Sequence, residues 1–339
     1  MVDFYFNVVA VAKVYCILYF NSVSMKHKNR LYFLAVICIV LPALIPAGAA
    51  AQKKGLMEKS TINIATYNLR YANHADSVHG NGWGQRLPVI AQLIQFHDFD
   101  IFGTQEGLYH QLEGLKDSLP GFRYIGIGRD DGVHGGEHSA IFYKTEKFRL
   151  LDSGNFWMSE ITDRPNKGWD AVLPRICSWG KFKVIKTGFV FYLFNLHMDH
   201  IGVKARAESA KLILSKIKTF PAQTPVILTG DFNVDQTNES YTLINQSDIL
   251  ADSYELSPLK YALNGTFNNF RADNKTTSRI DHIFVSHQFT VKSYGILTDT
   301  YRLKREDPAA ENLPKEAAVT PFTARTPSDH FPVMARVEY

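Results

Sequence analysis

Six apolar runs in this 339-residue chain meet a side chain able to hold a cation or move a proton. Asn68 closes TINIATYN, Glu106 follows DIFGTQ, and His197 follows FYLFNL. Asp231 and Asn233 follow PVILTG, Asp281 sits inside SRIDHIF, and Asp329–His330 open the terminal run at HFPVMARVEY. Any one of these is explained by turn chemistry, because Asn and Asp favour the ends of strands. Asn68 and Asn233 taken alone read as turn residues. Repeated six times, the pattern points to strand ends gathered in one place. The residue types suggest its chemistry: carboxylate and amide oxygens suit a hard divalent cation, and imidazoles beside carboxylates suit proton transfer.

Two narrower readings fail on spacing. Asp231, Asn233 and Asp235 begin like a calcium loop, but Gln236 stands where glycine is required and Thr242 where the closing glutamate belongs. HMDH at 197–200 resembles half of a zinc-hydrolase motif, but Asn195 occupies the place of its first histidine. Neither a G-x-S-x-G elbow nor a phosphate-binding P-loop occurs.

The elements that must position these residues can be read from periodicity. TINIATYNL, DIFGTQE, SAIFYK, FRLLDSGNFWMS, PVILTGDFN, RIDHIFVS and HFPVMARVEY read as strands. CSWGKFKVIKTGFVFYLFNLHMD reads as a hairpin turning at Lys186-Thr187-Gly188. RLPVIAQLIQFHD, LYHQLEGLKDSL and the stretch 203–217 carry apolar residues at helical spacing, with Pro88 placed in the first turn of the first. No repeat or linker divides residues 61–339, which read as one α/β domain. The connections 126–138, 158–175 and 298–326 are expected to be surface loops.

In order, TYNLR, TQE, NLHMDH, GDFN, SRIDHIF and SDHFPV resemble the endonuclease/exonuclease/phosphatase superfamily, the DNase-I-like metal-dependent phosphodiesterases. The resemblance covers nearly all of 61–339 and implies a four-layered α/β/β/α sandwich with two packed, mostly antiparallel sheets. It implies Glu106, Asn68 and Asp329 around Mg²⁺ or Mn²⁺. Asp231 is matched to the residue that orients or deprotonates the attacking water, with Asn233 beside it. His197 is matched to a donor to phosphate, and His330, oriented by Asp281, either takes the water's proton or stabilises charge. A binding protein that had lost its chemistry would show gaps at these positions, and none is seen. For substrate, Arg86 and Arg175 are expected to hold phosphate oxygens, His138 to lie beside them, and Trp169 or Trp83 to stack on a base or sugar. Relatives act on many phosphoesters. A nucleotide or short nucleic acid is favoured, with a lipid-headgroup or sugar phosphoester as the alternative, acted on by a monomer needing no protein partner.

Composition fits a globular protein with a substantial core, with 45% hydrophobic and 13% aromatic residues. Residues 25–51 read as a cleaved signal peptide: Lys26, Lys28 and Arg30, an apolar stretch, then an alanine-rich A-x-A ending. Residues 1–24 read as a start assigned too far upstream. The first 51 residues hold four of the 37 basic residues and one of the 33 acidic ones, so residues 52–339 carry a net charge of +1. That is no electrostatic grip for long nucleic acid. Of three cysteines only Cys177 lies beyond the leader, which rules out an intrachain disulfide in an exported product. A periplasmic or extracellular location is expected.

Overall fold

Strand alternation decides the architecture. In β1 (Thr61–Asn68), Ile62 and Ile64 face one way and Ala65 and Tyr67 the other, and all four are buried. A strand apolar on both faces belongs in the middle of stacked layers. The computed structural model, which describes residues 60–304 and 322–339, has such layers. The stretches read as an upstream start and a signal peptide lie outside the described residues.

After β1 come α1 (His74–Val78), α2 (Trp83–Phe96), β2 (Ile101–Gln105), α3 (Tyr109–Ser118), β3 (Phe122–Ile125), β4 (Ile141–Lys144) and β5 (Phe148–Trp157). The chain continues through β6 (Ile176–Val184), β7 (Val190–His197), α4 (Val203–Lys218), β8 (Val226–Asp231), α5 (Glu239–Asn245), β9 (Ala251–Asp252) and α6 (Ser253–Leu256). It closes with β10 (Lys260–Tyr261), β11 (Asp281–Val285), β12 (Thr290–Ile296), β13 (Tyr301–Lys304), β14 (Phe322–Arg325) and β15 (Val333–Glu338).

One sheet has the order β10-β12-β15-β1-β2-β4-β3, the other β5-β6-β7-β8-β11-β9. Most pairs are antiparallel, but β1 with β2, β7 with β8 and β10 with β12 are parallel, the first two joined through helices α2 and α4. Between the sheets, Ile62, Ile64, Ile101 and Val333 share a core with Phe182, Leu193, Ile227 and Ile283. Outside the first sheet, Ile90 and Ile94 of α2 and Leu112 and Leu115 of α3 cover Tyr67, Phe102 and Phe142. Outside the second, Ile213, Leu214 and Ile217 of α4 cover Phe194, Leu196 and Leu228. This is the expected helix–sheet–sheet–helix sandwich.

Three details differ from expectation. Helix α2 starts at Trp83, three residues before its apolar period, so Pro88 lies inside it. Strand β12 escapes the period-two test because a bulge between Val291 and Ser293 breaks its alternation. The connection 298–326 is not all loop, since β13 and β14 pair within it.

Candidate active site

The inward-facing positions of four strands change character along their length. Ile62 and Ile64 give way to Thr66 and Asn68 on β1; Phe191 and Leu193 give way to Asn195 and His197 on β7. Ile227 leads through Thr229 to Asp231 on β8, and on antiparallel β11 Val285 and Ile283 lead back to Asp281. The layer between the sheets is therefore apolar at one end and polar at the other. Where the change occurs, a fully buried amide belt joins the sheets. Gln105 donates to Thr66 Oγ1 (3.0 Å) and to Asn195 Oδ1 (2.7 Å). Asn195 donates to the carbonyls of Thr104 (2.8 Å) and Ala140 (3.0 Å) and accepts from Thr229 Oγ1 (3.1 Å). Gly103 is required there, because a Cβ would lie 2.1 Å from Asn195 Oδ1 and 2.6 Å from Thr229 Oγ1. Asn195, which breaks the zinc motif, thus fastens one sheet to the other.

Beyond the belt, strand register sets the acid–base group. Asp231 on the middle strand lies level with His197 on one neighbour and Asp281 on the other. Asp281 Oδ2 is 2.8 Å from His330 Nδ1, and His330 Nε2 is 3.8 Å from Asp231 Oδ2. Burial disfavours the imidazolium, but the charges of Asp281 and Asp231 prevail and raise the His330 pKa well above its usual value. Burial, and then the Asp281 charge, push Asp231 up to about 7. His197 is opposite in character: burial and the nearby Arg175 and Arg129 lower its pKa far below normal. Asn233, held at φ 51°, donates to Met198 O (2.9 Å) and to His197 Nε2 (3.0 Å). The Met198 carbonyl fixes which end of that amide is NH₂, so His197 Nε2 accepts and its proton is on Nδ1. Donation from His197 to phosphate is therefore closed at Nε2 in this state and open only at Nδ1–H, which has no hydrogen-bond partner.

On the other flank, Glu106 (φ 63°) stands at the end of β2 and Asp329 just before β15. One NH₂ group, that of Asn68, donates to both Glu106 Oε1 and Asp231 Oδ2, each at 3.0 Å. Its oxygen accepts the N–H of Arg70 at 2.9 Å. The motifs imply that Asn68 lends an oxygen to a cation; that oxygen accepts one N–H here and has a second lone pair, while the NH₂ group holds two carboxylates together. Burial, with a further contribution from Glu106, raises Asp329 to about 6 despite the opposing charge of His330. Two neighbouring buried carboxyls with raised pKa values mark a place where negative charge lacks compensation. Oxygen donors from Glu106 and Asp329, with Asp231 beside them, fit a hard divalent cation. Ligand atoms of Asp231, Asp281 and His330 also lie within 4.8 Å of one another. The 2.8 Å contact between the last two makes that trio better suited to proton handling.

The expected substrate residues divide. Arg86 is a correction: it is completely buried and donates to the carbonyls of Asn81, Leu69, Pro327 and Arg70. Its guanidinium staples loops from opposite ends of the chain and cannot reach phosphate. Trp83 stacks against Arg86 and packs with the outer core. Arg175 is near the site, bonded through Nε to Asp199 (3.2 Å) and through Nη2 to His200 Nδ1 (2.8 Å), while its buried Nη1 has no partner. It shares a small cleft with His138 and His197. His138 is itself buried, with its backbone N–H on Gly107 O. Trp169 is half-buried, at φ 51°, with its N–H on Glu160. Glu137 is a member of the site that the motifs do not mark. It lies 3.8 Å from His197 Nδ1 and is gripped by Arg129 through bonds of 2.6 and 2.8 Å. The only hint in the sequence is its place in GEH, beside His138.

Residues 65–330 match the Endonuclease/Exonuclease/phosphatase family. The fold matches that of an endonuclease/exonuclease/phosphatase family protein from Bacteroides thetaiotaomicron with a TM-score of 0.78; the two are 58% identical over 83% of this chain and 99% of that one. A mannosyl-6-phosphatase from the same organism is 59% identical, with a TM-score of 0.76 over 82% of this chain and 100% of that one. The catalytic domain of human Nocturnin, 17% identical with a TM-score of 0.58 over 83% of this chain and 96% of that one, shares the fold. With its matched motifs distributed over both sheets of this sandwich, the chain belongs to the endonuclease/exonuclease/phosphatase family of phosphoric ester hydrolases.

Proposed function

We propose that this chain is an exported, divalent-metal-dependent phosphatase that removes the phosphate of a phosphorylated sugar such as mannose 6-phosphate. The observation that carries the reaction type is the grouping of Asp231, the Asp281–His330 pair and the Glu106–Asp329 carboxylates at one end of the sandwich. Asp231, with a pKa near 7, is suited to orient a water and accept its proton at neutral pH. His330, kept protonated, places positive charge against the phosphate oxygens as bonds to phosphorus change. Of the two roles the motifs left open for His330, this geometry favours charge stabilisation. Glu106 and Asp329 would hold Mg²⁺ or Mn²⁺, which when bound neutralises phosphate charge and assists the leaving oxygen.

For the substrate, the 59% identity to a mannosyl-6-phosphatase is the main support. The near-neutral charge of residues 52–339 agrees with a small substrate. The test is a panel of mannose 6-phosphate, its methyl diester, a nucleotide and single-stranded DNA, each with Mg²⁺, Mn²⁺ or EDTA. Mannose 6-phosphate should be hydrolysed fastest, and EDTA should abolish turnover. Faster cleavage of the nucleotide or DNA would move the enzyme to the nuclease reading, and EDTA-insensitive turnover would refute the mechanism. Export is checked by the intact mass of the secreted chain, expected to begin near Ala50 or Gln52.

A further inference from the structure

We propose that Arg70 is the specificity-determining cation of the site, taking the extra anionic oxygen that distinguishes a phosphate monoester from a diester. This rests on the phosphatase reading above. Three observations on Arg70 support it.

The first is an inventory of positive charge. Arg86 is saturated by main-chain carbonyls, Arg129 is committed to Glu137 through two bonds, and Arg175 is tied to Asp199 and His200, with only its buried Nη1 left unpartnered. Arg70 is different. Its Nε donates to Asp76 Oδ2 at 2.9 Å, while Nη1 stands 3.6 Å from Asp329 Oδ2, beyond hydrogen-bond reach. Among the described residues neither Nη1 nor Nη2 makes a hydrogen bond, and the side chain is 28% exposed. A monoester dianion carries one more negative charge than its diester, and a guanidinium with two free N–H-bearing nitrogens is the natural partner for that oxygen.

The second is backbone conformation. Arg70 has φ 55°, a region that glycine enters freely and other residues enter at a cost. The conformation is imposed from both sides. The N–H of Arg70 is held by Asn68 Oδ1 at 2.9 Å, and its carbonyl accepts from Arg86 Nη2 and Gln111 Nε2, each at 3.0 Å. A residue with a costly backbone at a clamped position is a sign that its side chain is needed there.

The third is aim. Asp76, itself held by Asn73 Nδ2 at 2.6 Å, occupies the Nε edge of the guanidinium, and Nη1 lies on the Asp329 side. Asp76 is thus a positioning residue for Arg70.

The experiment compares wild type with Arg70→Ala, Arg70→Gly and Arg70→Lys. It reads kcat/KM on mannose 6-phosphate and on its methyl diester, affinity for inorganic phosphate by calorimetry, and thermal midpoint. Loss of a charge-assisted hydrogen bond should lower monoester kcat/KM and phosphate affinity by roughly 10- to 100-fold. The diester should lose less, so the monoester-to-diester ratio should fall at least about tenfold, and Arg70→Lys should recover part of it. Arg70→Gly should melt no lower than wild type, because glycine relieves the backbone; this separates ligand recognition from a structural role. Equal losses on both esters, or unchanged phosphate affinity, would overturn the assignment. If no monoester is turned over at all, the sugar-phosphatase reading fails, and phosphate affinity alone still decides for or against Arg70.

Discussion

Replacing Asp281 by Asn removes a negative charge 2.8 Å from His330 Nδ1 while nearly preserving side-chain size. The new amide has two choices. With its oxygen toward His330 the contact survives uncharged, and the NH₂ lands where Asp281 Oδ1 now sits buried without a partner. An unsatisfied donor there costs about 1–3 kcal/mol. With its NH₂ toward His330, Nδ1 must become an acceptor, and the imidazole is neutral in the other tautomer. Either way the imidazolium loses the largest charge that favours it. The expected fall in kcat is about two to four decades, or roughly 2.7–5.5 kcal/mol of transition-state stabilisation. His330→Ala removes the same group and should fall in the same range. The double variant should be within about threefold of His330→Ala, because residues that act as one unit are not additive. A second signature is independent of rate magnitude. After burial, the Asp281 charge is the main influence raising Asp231, so Asp281→Asn should let Asp231 ionise at lower pH. The rising limb of the pH–rate profile should move in that direction. The assay is phosphate release from mannose 6-phosphate at saturating Mn²⁺ between pH 5 and 9, with far-UV circular dichroism to confirm folding. Strict additivity of the two substitutions would refute the pairing.

Three further outcomes are expected. Glu106→Gln should weaken Mn²⁺ binding by at least about tenfold in calorimetry without loss of secondary structure, since a charged oxygen ligand becomes neutral; unchanged affinity would place the cation elsewhere. Gly103→Ala should destabilise by about 1–3 kcal/mol or more in denaturant titration, because the added Cβ meets Asn195 and Thr229; an unchanged midpoint would mean the belt yields easily. In cation-free protein, Asp231 and Asp329 keep protons up to about pH 7 and 6, whereas in the unfolded chain they ionise near pH 4. Stability present below pH 4 is therefore progressively lost as pH rises through 6 and 7, and the raised pKa of His330 acts with the same sign. The lowered pKa values of His197, His138 and His282 act with the opposite sign over the same range, so the test is a difference. The wild-type midpoint should fall relative to that of Asp231→Asn between pH 5.5 and 8, and Mn²⁺ should restore more at pH 8; a wild-type midpoint that rises relative to the variant would contradict this.

What the sequence reveals depends on locality. Asp231 is visible because PVILTG is an uninterrupted strand ending on it, and Asp329–His330 because the alternating run begins beside them. β12 is hidden by its bulge. Arg86 misleads for a different reason. A helix pattern with an arginine near its start looks solvent-exposed, yet this side chain is buried by Leu69 and Pro327, one of them 241 residues away. Asn195 is legible only as a missing zinc ligand, because its partners Gln105 and Thr104 belong to the other sheet and Ala140 directly precedes a strand of it. Asn68 is marked by its motif and lies between Glu106 and Asp231, but the direction of its amide is set by the Arg70 N–H and cannot be read from residue type.

The position of β15 has a consequence for synthesis. This strand lies between β1 and β12 in the middle of the seven-stranded sheet, and Asp329 and His330 stand at its entrance. Ser328 bonds to the carbonyl of Asn68 across 260 residues of sequence. Until those late residues leave the ribosome, β1 lacks a neighbour on one edge and the acid–base group lacks its imidazole. Closing so distant a pairing is slow compared with local helix formation. A nascent or truncated chain without β15 thus has neither a complete central sheet nor His330, so hydrolytic activity arises only after β15 has been made.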